Sequence, residues 1–166
     1  MHKIGEKVVY GSFGVMEIVD IRTEKFIDVF REYYILQSAT SGSSSQTFVP
    51  VDNEALVANM RPLLTKEEAR AFVASINSLP VAEWISDNRA RSEKFKALIE
   101  CGDRCGMVSM IKLVKATGIR RAEEGKKNYL ADENAMHKAI KLLSSEIATV
   151  MELSEEEAMS LAGLNK

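Results

Sequence analysis

The sequence predicts an α+β protein, with a small β-domain over residues 1–63 followed by a compact all-helical domain of about five helices over residues 64–166. Up to about residue 60, β-branched and aromatic residues come in short runs broken by Gly and Ser clusters, which is the pattern of strands. From Thr65 onward, apolar residues recur at helical spacing between capping signals. With 46% hydrophobic residues in 166 positions, the chain can bury a core, and its length accommodates one domain or two small ones.

Strands are expected near 7–10, 15–22, 30–37 and 46–51. Gly11-Ser12-Phe13-Gly14 supplies the first turn, and the Gly/Ser-rich stretch 39–45 an exposed hairpin loop. Four or five strands in sixty residues suit a small SH3-like or Tudor-like barrel and leave no room for a helix of ordinary length. Arg61-Pro62-Leu63 marks the boundary.

The first helix opens on a capping box, Thr65 with Glu68, and buries Ala69, Phe72, Val73 and Ile76 before Pro80. A second spans about 86–101, with Phe95, Leu98 and Ile99 inward. Gly102-Asp103 is a stop followed by a new N-cap, and the third helix turns Met107, Met110, Ile111 and Val114 inward. Asp132 is expected to cap the fourth, whose Met136, Ile140, Leu143, Ile147 and Val150 form an apolar stripe. Ser154 and Glu157 make a second capping box for a short last helix.

Charge and motifs narrow the function classes. The net charge of −2 is unevenly spread: residues 64–127 carry 13 Lys/Arg against 9 Asp/Glu, whereas the segments before and after are acidic. Within that middle third, the stretch 104–127 holds Arg104, Lys112, Lys115, Arg120, Arg121, Lys126 and Lys127, which are candidate DNA contacts or simply a solvated face. Gly118 to Lys127 lacks the spacing and the Ser/Thr of a phosphate-binding loop. His2 and His137 have no acid or nucleophile at motif spacing, and Cys101 and Cys105, four apart, fit neither a redox pair nor half a zinc site. An enzyme is not expected, nor is a cofactor, a metal or a small-molecule ligand. No run of roughly 18 apolar residues and no signal-peptide core is present, so a cytoplasmic protein without a membrane partner is expected.

The single tryptophan, Trp84, sits in Leu79-Pro80-Val81-Ala82-Glu83-Trp84-Ile85-Ser86-Asp87-Asn88-Arg89-Ala90-Arg91. Periodicity leaves two readings open, a core residue or an exposed aromatic wedge of the sort that enters a distorted duplex while nearby cations hold phosphates.

Over essentially its whole length the chain resembles the CarD/CdnL regulators of bacterial RNA polymerase. The resemblance is carried by Lys3-Ile4-Gly5-Glu6-Lys7-Val8-Val9-Tyr10 with Gly14 downstream, Glu32-Tyr33-Tyr34-Ile35-Leu36, Phe48-Val49-Pro50-Val51-Asp52-Asn53 and the 84–91 segment. The N-terminal half is also similar to the polymerase-interacting module of the transcription-repair coupling factor. The resemblance implies docking on the polymerase β subunit through the barrel, and contact with promoter DNA at the upstream edge of the transcription bubble. That contact would have no sequence-specific readout and would modulate open-complex stability. It assigns the wedge to Trp84 and phosphate contacts to Arg89 and Arg91. Related proteins carry arginine where this chain has Phe48, so a more apolar polymerase contact is implied, with Arg22, Arg31, Tyr34 and Phe48 as candidates. A protein-only adapter without DNA contact is the alternative.

Overall fold

The computed structural model of the chain describes residues 1–40 and 45–164. It divides into two units, Met1–Leu64 and Thr65–Lys166.

In the first unit β1 (Lys7–Tyr10), β2 (Val15–Phe26), β3 (Val29–Ser38), β4 (Gln46–Pro50) and β5 (Met60–Pro62) form an antiparallel sheet in the order β4-β3-β2-β1-β5. The fold class is α+β with a barrel-like N-terminal sheet, as expected. A 3-10 turn over Gly11–Phe13 links β1 to β2, and positions 41–44 of the expected loop lie outside the described residues. β2 and β3 run further than their sequence pattern suggests, because they pair with each other down to Phe26↔Val29. A register shift between Ile18 and Asp20 places Val19 in a bulge. The extra residue inverts the alternation, so that Ile18 and Ile21 both contribute to the same core despite their odd spacing. That core is Val8, Tyr10, Met16, Ile18, Tyr34, Leu36, Val49 and Met60. A five-residue helix, α1 (Glu54–Ala58), capped by Asn53 Oδ1 accepting from Leu56 N at 3.1 Å, precedes β5.

The second unit holds α2 (Lys66–Ser75), α3 (Asn88–Cys101), α4 (Arg104–Glu123), α5 (Leu130–Met151) and α6 (Glu155–Leu161). Both capping boxes form: Thr65 Oγ1 accepts from Glu68 N, with Glu68 accepting from Thr65 N, and Ser154 pairs with Glu157 in the same way. Gly102 closes α3 at φ 66°, a left-handed conformation that glycine adopts without a Cβ penalty, and Asp103 Oδ1 then caps α4. Phe95 and Ile99 of α3, Met107, Met110, Ile111 and Val114 of α4, and Leu143 and Ile147 of α5 pack into one core. Met136 and Ile140 lie at its margin.

One expected cap is absent. Helix α5 starts at Leu130 from an N-cap at Tyr129, whose side chain makes no cap bond, and Asp132 lies inside the first turn. Its carboxylate is buried and receives Arg91 Nε at 2.8 Å, a partner forty-one residues away that local pattern cannot reveal.

Candidate functional site

On the N-terminal unit, strand register decides which side chains meet. Cross-strand partners share a face, so Arg22↔Tyr33, Glu24↔Arg31, Phe26↔Val29 and Ile35↔Phe48 put these residues on one side of the β2-β3-β4 sheet. Three of the expected polymerase contacts, Arg22, Arg31 and Phe48, therefore lie on a common surface. Tyr34 does not. It pairs with Ile21 and Val49 on the opposite face and is 2% exposed, a core residue rather than a contact residue.

Its neighbour Tyr33 takes the position expected of Tyr34. The rings of Phe26, Tyr33 and Phe48 form an edge-to-face cluster with centroids 5.3 Å apart for Phe26–Tyr33 and 6.1 Å for the other two pairs. Phe48 remains 37% exposed. Arg22 reaches Asp20 at 3.2 Å and Glu24 at 2.6 Å, and Arg31 reaches Asp52 at 3.2 Å. These pairs are half-exposed and hold the guanidinium groups beside the aromatic cluster without withdrawing them from water. At the tip of the hairpin Ile27 and Asp28 adopt φ 46° and 63°, an unusual conformation for a β-branched residue, and Ile27 is 98% exposed. Phe26, Tyr33 and the apolar tip were absent from the expected set, because their alignment with Phe48 depends on hairpin register. The alternation of Tyr33 and Tyr34 was the available signal, and its sense is fixed by Tyr34 and Leu36 entering the core while Tyr33 pairs with Arg22 on the other face.

On the helical unit, Trp84 is neither core nor unattached. It is 37% exposed and lies in the 79–87 segment, which forms no helix or strand. Arg91 Cζ sits 4.3 Å from the indole centroid and 4.8 Å from the Tyr129 ring, while Arg121 Cζ stands 4.1 Å from the same Tyr129. Trp84, Arg91, Tyr129 and Arg121 thus alternate aromatic and cation in a ladder, each contact within the range of cation–π attraction. Tyr129 is positioned by Asn128, whose Oδ1 accepts from Tyr129 N at 2.9 Å and whose Nδ2 donates to Val114 O at 3.2 Å. A Cβ at Gly118 would stand 2.9 Å from that Nδ2, so glycine is what lets Asn128 approach α4.

Several expected phosphate contacts turn out to be committed elsewhere. Arg91 is 1% exposed and donates to Asp132 Oδ2, Ile85 O and Asn88 Oδ1, each at 2.8 Å, so burial keeps its guanidinium out of reach of a phosphate. Lys112 Nζ donates to Leu79 O at 2.5 Å and Asn77 O at 3.1 Å. Lys115 Nζ donates to Leu164 O at 3.0 Å, and burial pushes its ammonium below the usual lysine range. Arg104, counted in the basic stretch, forms a two-pronged pair with buried Glu146 at 2.8 and 2.6 Å, whose hydrogen bonds raise the Arg104 pKa. Long basic side chains in a bundle satisfy carbonyls and carboxylates of their own fold, and spacing alone does not distinguish this duty from a solvated one.

Arg89 and Arg120 do lie at the surface, Arg89 beside Glu93 at 3.0 Å. Arg121 donates to Lys127 O at 2.7 Å, which brings the exposed Lys126 and Lys127 to the same end of α4 as Tyr129. The accessible positive charge accordingly contracts from the whole 104–127 stretch to Arg120, Arg121, Lys126 and Lys127 at the C-terminal end of α4, where Arg121 joins the aromatic ladder and Lys126 Nζ pairs with Glu124 at 2.8 Å. His137 is exposed, whereas His2 is half-buried, bonded to Glu6 Oε1 at 2.7 Å and edge-on to Tyr34. Cys101 and Cys105 are free and exposed. Among the described residues no cluster of His, Cys, Asp and Glu could hold a metal ion, and no helix is long and apolar enough to cross a membrane.

Residues 2–64 match the model of a protein family described as the CarD-like/TRCF RID domain. No curated protein matches the chain.

Proposed function

From the membership of residues 2–64 in the CarD-like/TRCF RID domain family, an RNA polymerase-interacting domain, we propose that this chain is a cytoplasmic, non-enzymatic transcription regulator. It docks on the polymerase β subunit through the face that carries Phe26, Tyr33, Phe48, Arg22 and Arg31. Its helical unit contacts promoter DNA at the upstream edge of the transcription bubble and prolongs or shortens the open complex through Trp84.

The observation that supports the DNA part of this reading is the state of Trp84. A buried indole would leave only a protein-binding adapter. Here an Arg side chain packs on the ring, more than a third of the residue is open, and exposed cations gather one aromatic ring away. A ring already ordered on the protein loses little freedom when it enters a partly unstacked base step, and it favours the opened duplex only through contact made in that state. Exposed Arg and Lys position such a ring on phosphates without reading sequence.

The test is paired: binding of the chain to a polymerase β-subunit fragment, and decay of a promoter open complex in its presence. Trp84→Ala should leave β-subunit binding intact and bring open-complex lifetime to the factor-free value. A Trp84→Ala protein that alters the lifetime as fully as wild type would leave the adapter as the function.

A further inference from the structure

The 79–87 segment has to keep one conformation without a helix or a sheet ladder. Besides the bonds that join it to the helical turns at either end, Leu79 N to Ile76 O and Arg91 N to Asp87 O, its backbone is held by three groups: Lys112 Nζ donates to Leu79 O, Ala82 N donates to Ser109 O at 3.1 Å, and Arg91 Nη1 donates to Ile85 O. Trp84 lies between the second and third ties. Arg91 is the only one of these groups that also touches the indole, through the face of its guanidinium. That plane is fixed in turn by Asp132 and Asn88 at its edge and by Tyr129 on a ring face.

We infer that Arg91 is the positioning residue for Trp84: locked by Asp132, it sets both the backbone of the 79–87 segment and the pitch of the indole, and makes no contact with nucleic acid itself. The inference rests on the reading of Trp84 as the DNA-contacting ring, but its structural half stands apart from it. A planar, five-donor guanidinium can satisfy a carboxylate, an amide oxygen and a carbonyl at its edge while presenting a flat face to aromatic rings, and an ammonium cannot. Without Arg91 the indole would lose its cation–π partner, leaving the tilted contact with the Tyr129 ring at 5.9 Å between centroids, Ile85 O would lose its tie, and Trp84 would sample more orientations, few of them suited to a base step.

Trp84 is the chain's single tryptophan, so intrinsic fluorescence reports on this residue alone. Removing one member of a buried ion pair strands the other and can unfold the domain, whereas replacing both by apolar groups of similar volume is tolerated. The informative protein is therefore Arg91→Met combined with Asp132→Leu, in the full chain, with helicity checked by circular dichroism. Expected are a red shift of Trp84 emission, a loss of its anisotropy, stronger quenching by acrylamide, and an open-complex lifetime equal to that of Trp84→Ala. Leu143→Ala, which weakens the same core far from the ladder, should destabilise the unit with Trp84 emission unmoved.

Should the double variant not fold, Arg91→Lys decides the matter: it keeps the charge beside Asp132 but loses the fork and the face, and should still red-shift the emission. A folded variant whose emission, anisotropy and quenching match wild type overturns the positioning role. Failure of the DNA reading looks different. In that case the fluorescence changes as expected, while neither the double variant nor Trp84→Ala alters open-complex lifetime.

Discussion

Phe48 of the N-terminal unit and Trp84 of the helical unit are exposed to the same extent, yet different physics holds them in place. Phe48 stands on a strand, its direction set by the Ile35↔Phe48 pairing, and it packs on other aromatic rings. Backbone hydrogen bonds determine its orientation, and a neighbour's substitution cannot turn it. Trp84 stands on a segment with no ladder, held by the tips of long basic side chains that reach in from other helices. An aromatic surface on a sheet is cheap to pre-organise; one on a loop needs buried charge, and buried charge is stable only when fully paired.

The contrast is broken most severely at Arg91. Arg91→Ala or Asp132→Ala leaves a buried partner unpaired and should cost about 3–5 kcal/mol, lowering the melting temperature of the helical unit while binding to a β-subunit fragment persists. If both units lost their function together, the separation between the two surfaces would not hold.

Phe48→Ala removes a ring from the barrel-like surface and should weaken β-subunit binding by about 2 kcal/mol, the scale of an aromatic anchor. Tyr33→Ala should behave similarly, whereas Tyr34→Ala should act through folding, which thermal unfolding separates from binding. Equal losses of affinity for folded Tyr33 and Tyr34 variants would contradict the assignment of faces.

Trp84→Ala loses a cation–π contact and a half-exposed ring, and a stability change of only about 1 kcal/mol is expected. A loss on the scale of a core truncation would mean that the indole is structural.

The smallest effect sharpens the picture of the cations. Each phosphate contact contributes about 0.9 to the log–log salt slope of DNA binding. Arg120→Ala and Lys127→Ala should each reduce that slope, and Lys112→Met and Lys115→Met should leave it unchanged, in binding measured across a salt series. A slope that falls with Lys115→Met would show that its ammonium leaves Leu164 O for the duplex.

Much of this protein is written locally. The capping boxes at Thr65 and Ser154, the stop at Gly102, the apolar periodicity of α4 and the four longer strands depend on residues within a few positions of one another. Backbone geometry and capping chemistry act over that range, so the change of period at residue 65 and the two-part fold could be read from the amino acids alone. What the chain does with its polar side chains was decided only on folding. Asp132 resembles a cap until Arg91 arrives from another helix, and Arg91, Lys112 and Lys115 resemble a DNA-binding face until backbone carbonyls and a buried carboxylate claim them. The side chains that Tyr33 meets on the neighbouring strands likewise depend on pairing register. A charged side chain can find a partner anywhere its length reaches, and a strand residue can face either way, so both outcomes are properties of tertiary packing and pairing register, to which no local spacing is sensitive.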